Sequence, residues 1–71
     1  MSLRNHSWRK VVKRLGDFDY RPVRQSGSHI ILKNSRELVV SVPRYEPIPE
    51  GTLRAVLEEA EISKDEFVKK L

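Results

Sequence analysis

The chain has 71 residues, a length that predicts one domain, residues 1–71, with a small apolar core. It has no cysteine and only two histidines, which excludes a disulfide scaffold and a cysteine zinc site and argues against a histidine metal site. No apolar run reaches the roughly 20 residues that span a bilayer, and the first residues lack the apolar stretch of a secretory signal. We therefore expect a cytoplasmic protein.

Charge divides the chain into two parts. Residues 1–44 hold ten Lys and Arg against three Asp and Glu, a net charge of +7, whereas residues 45–71 hold four against seven, a net charge of −3. A basic segment of this kind predicts a surface that binds a polyanion such as nucleic acid. Ordinary solvated charge is the alternative interpretation.

The first predicted element is a helix over residues 8–15. Ser7 can cap it, and Gly16 follows it at the place where a left-handed residue commonly ends a helix. Its apolar residues have the spacing of one helix face: Trp8, Val11, Val12 and Leu15. The basic residues lie largely on the opposite face: Arg9, Lys10, Lys13 and Arg14.

Three strands are predicted next, over residues 20–25, 29–33 and 38–42. Pro22 confines the first strand to a sheet edge or a partly unpaired position, and Pro43 ends the third strand. Gly27 is free to adopt the positive φ of a tight turn between the first two strands. Short turns between strands in series predict an antiparallel meander.

The last part of the chain predicts two helices after an irregular connection over residues 43–51. The first begins at Thr52, and Ser63 and Glu66 have the spacing of a capping box at the start of a short second one. The element order α-β-β-β-α, followed by this short C-terminal helix, predicts an α+β fold. We expect a three-stranded antiparallel sheet with the helices on one face.

This arrangement leaves the other face of the sheet open. Successive strand residues alternate between faces, so burying Ile30, Leu32 and Val23 turns their neighbours outwards. The side chains expected on the open face include Pro22, Arg24, His29 and Lys33.

A histidine among cations is sufficient for one class of reaction. Ser28 adjoins His29 and points to the opposite face, so it is poorly placed as a nucleophile. RNA supplies its own nucleophile, the 2′-hydroxyl, so the protein has only to transfer protons and to stabilise negative charge. Imidazole can do the first, and Arg24 or Lys33 can do the second. A solitary histidine on a strand is more often structural, so the pattern alone leaves both interpretations open.

Residues 24–29, with the sequence RQSGSH, resemble the R-Q-x-G-S-H signature of the HicA family, the RNA-cleaving halves of HicA–HicB toxin–antitoxin pairs. Two further motifs of the family follow, in the order in which the family has them. They are Val42-Pro43 at the end of the third strand and Gly51-Thr52-Leu53 at the start of a helix. The resemblance extends over residues 8–71.

The resemblance implies a fold like that of a double-stranded-RNA-binding domain, cleavage of mRNA independently of the ribosome, and inhibition by a HicB-type antitoxin. The catalytic histidine of the family falls on His29. Many members have a second histidine two residues after the Val-Pro pair, where this chain has Tyr45. A phenol is a poor proton donor at neutral pH, so this departure predicts weaker activity or a different sharing of the acid and base roles.

We therefore predict a metal-independent endoribonuclease with no cofactor, with His29 as its general acid and base and with mRNA and a HicB-type antitoxin as partners. The residues predicted to bind RNA are Arg24, Gly27, Ser28, Lys33 and Lys10. Trp8 and Phe67 are expected in the core, and His6, in a terminus expected to fray, is assigned no role. The alternatives are an RNA-binding module that cuts nothing and an inactive relative that binds a HicB-type repressor.

Overall fold

A computed structural model describes residues 2–71. It confirms the predicted α+β architecture of one helix, a three-stranded antiparallel sheet and two C-terminal helices. The helices are α1 (Trp8–Leu15), α2 (Glu50–Ala60) and α3 (Lys64–Lys70), and the strands are β1 (Arg21–Ser26), β2 (His29–Lys33) and β3 (Val39–Pro43). The bounds of α1 and β2 are as predicted, β1 and β3 are shifted by one residue, and α2 begins two residues early.

The caps of α1 and α3 explain where these helices begin. The Ser7 hydroxyl accepts a hydrogen bond from the Lys10 amide at 3.3 Å, and the Ser63 hydroxyl accepts one from the Glu66 amide at 3.1 Å. Each bond satisfies an amide that has no partner within its own helix. The Ser63–Glu66 pair forms half of the capping box that the spacing predicted, because the Glu66 carboxylate accepts from the Ser63 hydroxyl, at 3.1 Å, and not from its amide.

The end of α1 differs from the prediction. Gly16 is right-handed, with φ −60°, and begins a short 3₁₀ turn that runs to Phe18. The left-handed residue is Asp19, with φ 75°. Its carboxylate accepts hydrogen bonds from both the amide and the hydroxyl of Ser35. This tertiary contact holds Asp19 in the left-handed conformation that was predicted for Gly16.

The sheet has the strand order β1-β2-β3. The pairing of β1 with β2 shifts register between Pro22 and Arg24, which makes Val23 a bulged residue. The prediction that Val23 is buried is therefore wrong, and its side chain is 52% exposed. The prediction that Pro22 lies on the open face is also wrong, because the extra residue moves Pro22 opposite Leu32, a core residue.

The core lies between the sheet and the helices. Leu32, Val40 and Val42 supply the sheet side and are at most 1% exposed. The helices contribute Val11, Leu15, Leu53, Val56, Leu57, Ala60 and Phe67 to the same cluster. One face of the sheet is therefore covered, as predicted, and Phe67 is confirmed as a core residue.

Residues 3–6 pack against the core, so the prediction that the terminus frays is wrong for these residues, while Met1 lies outside the described residues. Leu3 is completely buried, and the amide of Ile48 donates a hydrogen bond of 2.9 Å to the carbonyl of His6. The apolar side chain of Leu3 provides the packing and the backbone bond fixes the direction of the segment.

Candidate nucleic-acid interface

The open face of the sheet consists of three cross-strand rows, since residues that pair across an antiparallel ladder share a face. The first row is Ser26, His29 and Pro43, of which Pro43 is buried; the second is Arg24, Ile31 and Ser41; the third is Arg21, Lys33 and Val39. Three of these nine residues are cationic and none is acidic. The rows therefore present positive charge on the side of the sheet away from the helices.

His29 stands at the start of β2, in the first row, with its side chain exposed. It pairs with Ser26 on one side and Pro43 on the other. None of the hydrogen bonds among residues 2–71 involves its imidazole. The imidazole is therefore exposed and has no hydrogen-bond partner within residues 2–71, and the catalytic role of His29 stays a prediction.

The turn before His29 depends on Gly27, which has φ 58°. This left-handed conformation is costly for residues that carry a Cβ atom. The Gln25 side-chain amide donates a hydrogen bond of 3.1 Å to the Gly27 carbonyl, and a Cβ atom added at Gly27 would meet no atom within 4 Å. The glycine therefore serves the turn conformation, and the space beside the turn is open. Ser28 completes the turn and is exposed.

The two cations predicted to contact phosphate differ in their surroundings. Arg24 is exposed in the row next to His29, and no carboxylate within residues 2–71 forms an ion pair with it. Lys33 lies four residues along β2, about 13 Å from His29 at the usual strand rise. Its ammonium forms an ion pair of 3.1 Å with Glu37. The structure therefore brings Arg24, but not Lys33, close to His29.

Lys33 instead borders a pocket of about 250 Å³ at the far end of the sheet. Its lining residues are Arg21, Val23, Lys33, Asn34, Ser35 and Glu37.

The basic face of α1 is separate from the open face, because α1 packs on the covered side of the sheet through Val11 and Leu15. Lys10 is exposed and is not brought together with His29. Arg14 contacts Asp17 at 3.4 Å and the Lys70 carbonyl at 3.2 Å. Lys10 thus stays a candidate for a peripheral contact only.

Trp8 makes contacts that its sequence pattern does not indicate. It is half-buried and packs against the core, but its ring also contacts two guanidinium groups. The guanidinium carbons of Arg9 and Arg44 lie 4.9 Å and 5.0 Å from the ring centroid. One feature of the sequence could have drawn attention to Arg44: it is a cation that directly follows the Val42-Pro43 pair.

An antiparallel sheet with helices on one face and cations on the other defines a small α+β protein whose open surface suits a polyanion. A family model described as the HicA toxin of bacterial toxin-antitoxin matches residues 8–62. Because this match covers more than half of the chain, the protein belongs to the HicA toxin family. Comparisons with curated proteins and with solved structures gave no match.

Family membership carries two general consequences. Members of the HicA family are generally mRNA interferases, and a toxin–antitoxin family implies an antitoxin partner.

No helix among residues 2–71 is long and apolar enough to cross a membrane. The described part of the chain also contains no cluster of three His, Asp or Glu side chains with the arrangement of a metal site.

Proposed function

We propose that this protein is an endoribonuclease that cleaves mRNA without a metal ion, with His29 as its general acid and base. The observation that carries the proposal is the exposed imidazole at the start of β2, beside an open glycine turn and one row from Arg24. Membership of a family whose members are generally mRNA interferases supports the same reaction.

The chemistry uses the RNA as its own nucleophile. His29 removes the proton from the 2′-hydroxyl, whose oxygen attacks the adjacent phosphorus and forms a phosphorane in which the bond to the 5′-oxygen is still intact. The protonated imidazole then returns a proton to the 5′-oxygen that leaves. One histidine can serve both steps, because the imidazole that gains a proton in the first step loses it in the second. The products are a 2′,3′-cyclic phosphate and a 5′-hydroxyl.

The remaining residues hold the RNA in this scheme. Arg24 contacts a phosphate and stabilises the negative charge that develops in the transition state. Gly27 and Ser28 form the turn along which the backbone approaches, and Lys33 and Lys10 contribute weaker contacts at the periphery. A HicB-type antitoxin is the proposed inhibitor, and it acts by covering His29.

A second candidate function is RNA binding without cleavage. The observation that favours it is that no side chain among residues 2–71 donates to or accepts from the His29 ring, so none fixes its orientation. In family members that have a second histidine, that residue can orient or assist the first. This chain has Tyr45 instead. An inactive relative that binds only a HicB-type repressor is the related alternative.

Cleavage of a single-stranded RNA by the purified protein in excess EDTA tests the proposal. We expect products that end in 2′,3′-cyclic phosphate, and we expect His29→Ala to reduce the rate by about 10²–10⁴. Its free energy of unfolding should change by less than about 0.5 kcal/mol, since His29 is exposed.

The matched control is His6→Ala, which removes the other histidine of the chain and should keep full activity. Unchanged activity in His29→Ala, products with 5′-phosphates, or activity that requires Mg²⁺ would each contradict the proposal. RNA binding without any cleavage would favour the second candidate.

A further inference from the structure

Arg44 is held beside the turn that precedes His29. It follows the last residue of β3, and its amide donates a hydrogen bond of 2.8 Å to the carbonyl of Ser28. Arg24, by contrast, pairs with Ile31, two residues beyond His29. Along the strand direction, His29 therefore lies between the backbones of Arg24 and Arg44.

The side chain of Arg44 is oriented by an aromatic ring. Its guanidinium carbon lies 5.0 Å from the centroid of the Trp8 ring, and the Trp8 amide in turn donates a hydrogen bond of 3.2 Å to the carbonyl of Tyr45. A guanidinium that packs against a ring directs the N–H groups at its edge sideways. Those groups match the oxygens of a phosphate in both geometry and charge.

The charge of Arg44 is also available, unlike that of several other cations. Carboxylates lie within ion-pair distance of six of them: Arg4, Arg9, Arg14, Lys33, Arg36 and Arg54. Arg9, the second arginine on the Trp8 ring, is 3.5 Å from Glu46. Across residues 2–71 no such carboxylate faces Arg44, whose side chain is exposed.

We propose that Arg44, oriented by Trp8, binds a phosphate of single-stranded RNA that neighbours the scissile phosphate. It is a positioning residue: Arg24 holds the RNA backbone on the open face, and Arg44, on the Trp8 side of the turn at residues 27–28, holds the backbone where it leaves that face beside His29. The inference rests on the proposed function, since it takes the RNA that binds the open face to continue past the turn at residues 27–28.

Binding measurements on an uncut ligand test this inference. The probe is a fluorescently labelled decamer of uridine, and His29→Ala is the background in which the RNA stays intact. Adding Arg44→Gln should reduce the slope of log affinity against log salt by about 0.7, the value for one phosphate contact to a single strand. Arg44→Lys should keep the slope, because it keeps the charge.

The matched control is Arg36→Gln, which also removes one positive charge. Arg36 is exposed, pairs with Glu61 and lies in the turn at the opposite end of β2, so this change should leave the slope as it is. Trp8 is the single tryptophan of the chain and provides a second readout. Its fluorescence should respond to the RNA in the His29→Ala background and should stop responding once Arg44→Gln is added.

Equal slopes with and without Arg44→Gln would overturn the inference and would leave Arg44 to contact an acidic protein partner instead. Failure of the wild-type protein to cut RNA would contradict the proposed function alone. The two failures are distinguishable, because the slope and the fluorescence report binding and do not depend on cleavage.

Discussion

The hydroxyl of Tyr20 donates a hydrogen bond of 2.9 Å to the carbonyl oxygen of Ala60. Both residues are buried, with 3% of each exposed. Tyr20 immediately precedes β1 and Ala60 is the last residue of α2, so this bond joins the sheet to the helix that covers it. Burial raises the pKa of the Tyr20 phenol, which keeps the group protonated and able to donate.

Tyr20→Phe should lower the free energy of unfolding by about 1–3 kcal/mol, because it leaves a buried carbonyl oxygen without its partner. Thermal unfolding followed by circular dichroism measures the change. The matched control is Tyr45→Phe, which removes a hydroxyl from a side chain that is 48% exposed and should alter stability by less than about 0.5 kcal/mol. Equal melting temperatures for wild type and Tyr20→Phe would show that the bond contributes nothing.

A second prediction concerns acid and the contact between Asp19 and Ser35. Hydrogen bonds from the Ser35 hydroxyl and amide lower the pKa of the Asp19 carboxyl below its ordinary value of 3.8. A carboxyl whose pKa is lower in the folded state stabilises the fold above its unfolded pKa, and this contribution disappears as pH falls through the folded pKa. Wild type should therefore be more stable than Asp19→Asn at pH 7, and the difference should shrink towards pH 2.

Asparagine is the suitable replacement because it also tolerates the left-handed conformation of residue 19. Urea unfolding of both proteins across this pH range gives the difference directly, with effects of other carboxyls cancelling between them. A difference in the free energy of unfolding that stays constant from pH 7 to pH 2 would show that it does not come from the ionisation of Asp19.

Local sequence patterns were sufficient for most of the fold. The helix period from Trp8 to Leu15 and the apolar run that begins at His29 gave the bounds of α1 and β2. They were not sufficient at Val23, because a bulge changes the partners of a strand without changing its composition. The left-handed residue at Asp19 was likewise fixed by a distant contact, with Ser35.

The candidate site was predictable to a similar extent. The alternation of β2 placed His29 on the open face, and the motif of residues 24–29 placed Arg24 near it. The ion pair between Lys33 and Glu37 depends on how the β2–β3 turn folds back, and the stacking of Arg44 on Trp8 depends on tertiary packing. Contacts of these kinds follow no short sequence period. The sequence alone therefore could not show which cations are paired with a carboxylate and which are oriented by an aromatic ring.

The different surroundings of Arg24 and Lys33 predict different effects on RNA affinity. In the His29→Ala background, Arg24→Gln should reduce the salt slope for the uridine decamer by about 0.7. Lys33→Gln should reduce it less, because Glu37 already neutralises the ammonium of Lys33 at 3.1 Å. Glu37→Gln should increase the slope by releasing that ammonium. Equal reductions from Arg24→Gln and Lys33→Gln would mean that RNA displaces Glu37.

The last prediction concerns Tyr45, which the family resemblance places where many members have a second histidine. Its amide donates a hydrogen bond of 2.9 Å to the carbonyl of Pro43, and Pro43 pairs with His29 across the strands. Residue 45 therefore lies two residues along the chain from the strand partner of the candidate catalytic group. Because a phenol transfers protons poorly at neutral pH, His29 acts there without a second acid in the proposed mechanism.

Tyr45→His should therefore increase the rate of RNA cleavage at pH 7 by about 10², the lower end of what a general acid or base contributes. The pH–rate profile should become bell-shaped, since one imidazole must then be neutral and the other protonated. Tyr45→Phe is the matched control and should cleave RNA at the wild-type rate, because it keeps the ring and removes only the hydroxyl. A loss of rate in Tyr45→Phe would mean that the phenol itself takes part in the reaction. A Tyr45→His protein no faster than wild type would mean that residue 45 lies out of reach of the scissile phosphate, leaving proton transfer to His29 alone.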